Sequence, residues 1–241
     1  MRLTDKLLRP LTPRGWRSLR LGLRRMLHPL DWRDVHRTID PVELEKVAAR
    51  HRVPGEERRW PKYVDAEKWL PLNARRAQDL GLNRVPAAKR PLRVLDLGSG
   101  AGYFLLVCRH LGHTGVGLDT DDIPLYGEMF ALLNLPREIA RIEKFQPLPA
   151  AALLNKNGGQ RFDLVTAFSI AFNGHKSPAL WSTREWDFFL HDLKTHLLAP
   201  GGRVYLDLNP EHDGSFYTPE LLAWFRARGG DIDRSKILLR P

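Results

Sequence analysis

Between residues 94 and 104 the chain passes from Val94-Leu95-Asp96-Leu97 through Gly98-Ser99-Gly100-Ala101-Gly102 into Tyr103-Phe104. No other stretch restricts the fold as tightly. An apolar run bounded by glycine reads as a buried strand, and Tyr103–Leu111 as a helix that ends near Gly112. The glycines between them let the backbone take turn conformations that other residues resist and approach a ligand closely. The helix beyond offers free N–H groups to that ligand. A dinucleotide loop spaces its glycines Gly-x-Gly-x-x-Gly. Here they fall at 98, 100 and 102, preceded by Asp96, and the Gly-Lys-Ser/Thr ending of a phosphate-binding loop is missing.

From Pro91 onward, short apolar runs alternate with helical patterns. Strands are expected at Leu92–Leu97, Thr114–Leu118, Ile139–Phe145, Phe162–Phe168, Arg203–Leu208 and Ser235–Arg240. Helices are expected at Ile123–Leu135, Ala150–Leu154, Thr183–Leu198 and Pro219–Arg228. Strands separated by helices specify an α/β fold with a doubly wound, mostly parallel sheet. Before Pro91, helices are expected over 40–53, with Asp40 as N-cap and Pro41 at the first position, and over 65–80, with Asp65 as N-cap and Pro71 as an interruption. The division expected is a basic helical extension over 1–90, its last residues a linker, and a ligand-binding domain over 91–241.

The glycine loop and the strands beyond it resemble the class I methyltransferases that use S-adenosylmethionine (SAM), whose hallmark is an acid-x-Gly-x-Gly-x-Gly turn after the first strand. Gly117-Leu118-Asp119 ends the second strand on an acid, Phe162–Phe168 looks like the family's fourth strand, and Leu198-Ala199-Pro200-Gly201-Gly202-Arg203-Val204 looks like the turn into its fifth. The resemblance covers roughly residues 92–208. It implies SAM as cofactor, with Gly98, Ser99, Gly100 and Gly102 around its methionyl and ribose parts. It also implies Asp96 near the amino group or ordering the loop, Asp119 and Thr120 at the ribose, Phe145 and Gln146 bordering the adenine, and Phe168 and Ser169 flooring the site. The family sheet has seven strands. Only 33 residues follow Leu208, so six or seven are expected, with Asp231–Asp233 as a very short strand if the seventh is there.

Ligands in an open parallel sheet sit beyond the carboxyl ends of the strands. Acceptor contacts are therefore expected from Asn173 and Trp181 after the fourth strand and from Asn209 and Tyr217 after the fifth. Lys62 and Tyr63, in the aromatic stretch before the first strand, either cap the pocket or staple the extension to the sheet. His175 and His212 are the candidate bases, because imidazole titrates near working pH; each taken singly reads more readily as a surface-loop histidine. The other histidines inside helices or at their ends show no metal-ligand pattern, and no metal is expected. No Asn-Pro-Pro-Tyr tetrapeptide follows the fourth strand. Ser169-Ile170-Ala171-Phe172 stands there, which favours a small-molecule or sugar- or lipid-like acceptor; oxygen and nitrogen both stay open as the methylated atom. An RNA- or protein-modifying enzyme and a SAM-binding module without turnover are the alternatives.

Charge is concentrated at the start of the chain. Residues 1–90 hold 22 Lys+Arg against 11 Asp+Glu, while 91–241 hold 16 against 17. Within 10–30, Trp16, Leu19, Leu23, Met26, Leu27 and Leu30 recur at helical spacing with arginines between them. Such a basic amphipathic helix suits an anionic membrane surface or a polyanion. A helix packed on the domain and an Arg-rich mitochondrial presequence are the other readings. The single cysteine, Cys108, suits a reducing compartment, so the expected location is cytoplasmic, peripheral to a membrane if the helix docks there. No run approaches the ~18 apolar residues of a membrane span.

Overall fold

The computed structural model describes residues 13–52, 55, 61, 63–84, 90–170, 172, 180–211 and 213–241. The central sheet has β1 (Arg93–Leu97), β2 (Thr114–Asp119), β3 (Arg137–Ile139), β4 (Phe162–Phe168), β5 (Leu198–Asp207), β6 (Asp231–Asp233) and β7 (Lys236–Leu239). Their order across the sheet is β3-β2-β1-β4-β5-β7-β6. The first five strands are mutually parallel, and β7 runs antiparallel between β5 and β6. All seven strands are therefore present, and Asp231–Asp233 is the short partner at the edge. Strand order reverses at β1, which opens a crevice above the carboxyl ends of β1 and β4.

Among the described residues, four helices precede the sheet: α1 (Pro13–Leu27), α2 (Trp32–His36), α3 (Pro41–Arg50) and α4 (Ala66–Leu80). Asp40 starts α3, its carboxylate accepting from the Val42 and Glu43 N–H groups at 2.9 and 3.2 Å. Asp65 caps α4 in the same way through the Lys68 N–H. α4 runs unbroken through Pro71, contrary to the interruption expected. The missing N–H leaves only the carbonyl four residues back without a partner, on the exposed Glu67, where water can reach it. Gly81, in the left-handed region at φ 75°, ends the helix.

Five further helices among the described residues flank the sheet: α5 (Tyr103–His110), α6 (Pro124–Leu132), α7 (Ala150–Lys156), α8 (Thr183–Asp192) and α9 (Pro219–Ala227). One apolar cluster holds Val35, Leu44, Val47 and Leu70 of the N-terminal helices and Val64 of the turn before α4, together with Leu105, Met129 and Leu164. The N-terminal helices thus complete the core on one face of the sheet. Arg50 and His51 of this layer both bond Glu128 of α6. His113 is buried between Leu82 O and the Leu92 N–H, a structural role. The second cluster covers the other face, where Trp181, Trp186, Phe172 and Phe189 pack ring to ring at 4.6–6.0 Å.

Two sequence expectations are corrected. β3 is Arg137–Ile139 rather than Ile139–Phe145, because pairing is confined to the end of β2, from Gly117 to Asp119. The residues beyond it are drawn off, where Asp192 accepts from the Leu148 N–H at 2.9 Å. The helix expected over 183–198 ends at Asp192 and gives way to a π turn over Leu193–Leu197. Pairing of β5 with β4 then begins at Leu198, lapses over 199–202, and resumes at Arg203. The Ala-Pro-Gly-Gly segment is thus an excursion within β5 rather than a loop before it.

Candidate functional site

The bend between β1 and α5 is held by main chain. The Gly98 and Ser99 N–H groups both reach Leu118 O, at 2.8 and 3.3 Å, and the Gly102 N–H reaches Ser99 O at 3.0 Å. Gly98 and Gly100 sit at φ 66° and 53°, where a Cβ meets the following carbonyl. A Cβ on Gly98 would lie 2.2 Å from Ile170 Cγ2. At Gly100 it would meet nothing within 4 Å, because that side faces open space.

That space is a cavity of about 560 Å³ lined by Asp96, the Gly98–Ala101 turn, Phe168, Ser169 and Asn209, with Tyr63, Trp69, Asn73 and Arg76 across from them. Asp119 reaches back to the turn. Its carboxylate accepts from the Gly100 N–H at 2.7 Å and the Thr120 N–H at 2.8 Å. Burial raises the pKa of this carboxyl and the two N–H bonds oppose the rise. Asp119 therefore shapes the loop before it touches any ligand, and Thr120 takes part through its backbone.

Asp96 lies beneath the cavity, 3% exposed, accepting from Thr166 Oγ1 at 2.7 Å. Burial pushes its pKa up to about 7; the Thr166 bond and the Arg76 charge pull it back, and Asp119 adds to the rise. Arg76 lies 4.2 Å over the Phe168 ring and donates to Asn73 Oδ1 at 3.1 Å. Burial lowers its pKa, opposed by Asp96 and Asp207. Phe168 in turn packs on Phe104 at 4.7 Å. The pocket thus combines a cation stacked on an aromatic with a deep carboxyl about to ionise. A zwitterion with a positive and a negative end suits that pair.

Tyr63 is on the cavity wall, stacked on Trp69 at 5.1 Å and edge-on to Tyr126 at 6.1 Å. The turn carrying it is anchored by the Tyr103 hydroxyl donating to Val64 O. Ser169 has φ 56° and donates its N–H to Asp207 O, while Asn209 Nδ2 donates to Ser169 O at 2.6 Å. Both are at the mouth.

Other expected residues are placed elsewhere. Trp181 is 5% exposed within the aromatic core, away from the cavity. Tyr217 donates its hydroxyl to Arg234 O and lines a separate small cleft beside Trp181 and Trp186. Phe145 packs on Phe188 in a shallow groove on another face, and the adjacent Gln146 is exposed. Lys62, Asn173, His175 and His212 lie outside the described residues. Arg76 and Asn73 were missed from sequence. The available signal was Trp69, Asn73 and Arg76 at helical spacing on one face of α4, a face polar enough to read as solvated.

The cavity fits SAM. Gly100 leaves room for close approach, Asp96 could meet an ammonium and Arg76 a carboxylate, while Asp119 is not among the lining side chains and acts on the turn through the Gly100 and Thr120 N–H groups. Ser99 Oγ is buried without a protein hydrogen-bond partner, on the side of the turn that faces Gly117 of β2. Comparison with known proteins supplies the family. SAM-bound CalS10, an amino pentose methyltransferase from Micromonospora echinaspora, is 21% identical with a TM-score of 0.40; the match covers 61% of this chain and 57% of that one. The ribosomal protein L11 methylase of Lactobacillus delbrueckii subsp. bulgaricus is 18% identical with a TM-score of 0.41, covering 70% of this chain and 76% of that one. This chain thus spans a little over half the length of CalS10. No curated protein matches the sequence. The family profile described as a methyltransferase domain matches residues 69–229, more than half of the chain. The protein accordingly belongs to the methyltransferase-domain family.

Proposed function

We propose that this enzyme transfers a methyl group from SAM to an oxygen or nitrogen atom of a small-molecule or sugar- or lipid-like acceptor. The observation that carries this reading is the wall opposite the glycine turn. Tyr63 and Trp69 supply flat apolar surface there, and Ser169 and Asn209 beside the turn supply hydrogen-bonding groups, the mixture a small-molecule pocket requires. SAM, when bound, supplies an electrophilic methyl carbon on a sulfonium. The chain's own residues orient the two reactants and keep water out, which is where most of the rate enhancement of such a transfer arises. The Gly98–Gly102 turn and Asp119 fix the nucleoside end, and Arg76 with Asp96 the amino-acid end. An acceptor lone pair forms the new bond to carbon as the carbon–sulfur bond breaks, and the acceptor's proton leaves to a base or to water. His175 and His212 are the proposed bases.

Incubation with methyl-labelled SAM and cell extract tests the proposal by where label appears. Label in the small-molecule or lipid fraction supports it. Label in RNA or protein assigns a polymer acceptor instead, and SAM binding with no transfer in any fraction marks a module without turnover.

A further inference from the structure

We infer that α1 docks the enzyme on an anionic lipid bilayer. α1 carries no acidic residue, and Trp16, Leu19, Leu23, Met26 and Leu27 are 55, 47, 48, 78 and 73% exposed. At ~100° per residue these five positions fall within one apolar arc of the helix. The opposite side carries Arg25, whose guanidinium grips Asp79 of α4 through three hydrogen bonds at 2.7–2.9 Å. The helix is therefore fastened by the side that carries Arg25 and the half-buried Leu21, and it turns the five exposed apolar side chains away from the protein. That is the reverse of an ordinary amphipathic helix in a globular domain. Positions 17, 20 and 24, all arginine, share one flank of the apolar arc, and Arg20 is exposed. Exposed Trp and Leu beside an acid-free arginine flank are the composition of a helix lying in the plane of an anionic interface.

A second copy of the chain is the poorer occupant. The stripe on a helix of this length is ~22 Å by ~10 Å, well short of the ~800 Å² per partner of a stable interface. Pairing would also set one arginine flank against another. No helix among the described residues is long and apolar enough to cross a membrane, so the docking is peripheral. Because Asp79 lies one turn from Arg76 on α4, lipid contact would sit one helix layer from the cavity.

Flotation of the full chain with vesicles of equal parts phosphatidylcholine and phosphatidylglycerol, against phosphatidylcholine alone, tests the inference. The expected result is recovery with the anionic vesicles only, weakened by added salt. Leu23→Glu should lower partitioning more than tenfold and Arg20→Glu about fivefold, a reversed charge near the surface losing at least the ~1 kcal/mol per basic residue. Both substitutions are at exposed positions, and S-adenosylhomocysteine affinity should be unchanged in each, so failure here is separable from failure of the cofactor reading. No flotation at low salt, equal recovery with neutral vesicles, or indifference to Leu23→Glu would overturn it. So would a concentration-dependent dimer that Leu23→Glu dissociates, or RNA retention lost in Arg20→Glu without vesicle binding.

Discussion

Asp96 is where the chemistry of the pocket and the stability of the fold pull in opposite directions. Its carboxyl titrates near 7 in the folded chain against 3.8 as the reference value. The folded state therefore holds this proton more tightly, and the stability the protonated group supports is lost as pH rises from about 4 through 7. Asp96→Asn should raise the melting temperature of the ligand-free protein at pH 8 and change it little at pH 5. A variant melting lower at pH 8 would show that the ionised group is already well compensated. The cofactor should have the opposite preference, because its ammonium needs the ionised carboxylate. S-adenosylhomocysteine affinity should fall about tenfold from pH 8 to pH 6, and the Asn variant should flatten that dependence. Arg76→Ala should weaken binding by at least ~10-fold, the loss of a charge-assisted bond to a carboxylate, with Arg76→Lys recovering part of it. Equal affinity in wild type and Arg76→Ala, measured by calorimetry, would place the carboxylate elsewhere.

Among the elements, the glycine turn divides its labour. Gly98 is a folding residue: a side chain there is strained at φ 66° and collides with Ile170. Gly98→Ala should destabilise the chain by ~2–4 kcal/mol in urea unfolding, the left-handed penalty plus overpacking. Gly100 faces the cavity, so Gly100→Ala should cost only the backbone term of ~1–2 kcal/mol while reducing cofactor affinity. The reverse ranking would mean that the turn meets its ligand from the other side. This turn was legible because its constraint is local; three glycines two apart, after a buried acid, need no tertiary information. Asp119 was legible for the same reason, as the residue that ends a strand beside the turn. Arg76 was not. Its burial depends on Phe168, Asp96 and Asp207, contributed from three strands well over a dozen residues away, and a lone helical arginine reads as solvated. Trp181 misled in the opposite sense, since an aromatic after β4 suits a pocket wall as well as the Trp186–Phe189 core it joins.

At the scale of the whole molecule, the alternation of strands and helices after Pro91 specified the doubly wound sheet, and Asp231–Asp233 could be read as its edge. Periodicity could not show that α2–α4 share a core with α5 and α6, because an apolar stripe does not name its partner. It could not reveal the excursion within β5 either, where an Ala-Pro-Gly-Gly run resembles an ordinary loop. The first βα turn, braced by Asp119, and Arg76 of α4 meet at one cavity, and the ligand proposed there is a nucleoside-bearing amino acid. Isothermal titration of the folded chain with S-adenosylhomocysteine tests this most directly. The account predicts saturable heat at one molecule per chain, lost in Asp119→Ala; no heat from protein whose circular dichroism and melting are intact would contradict it.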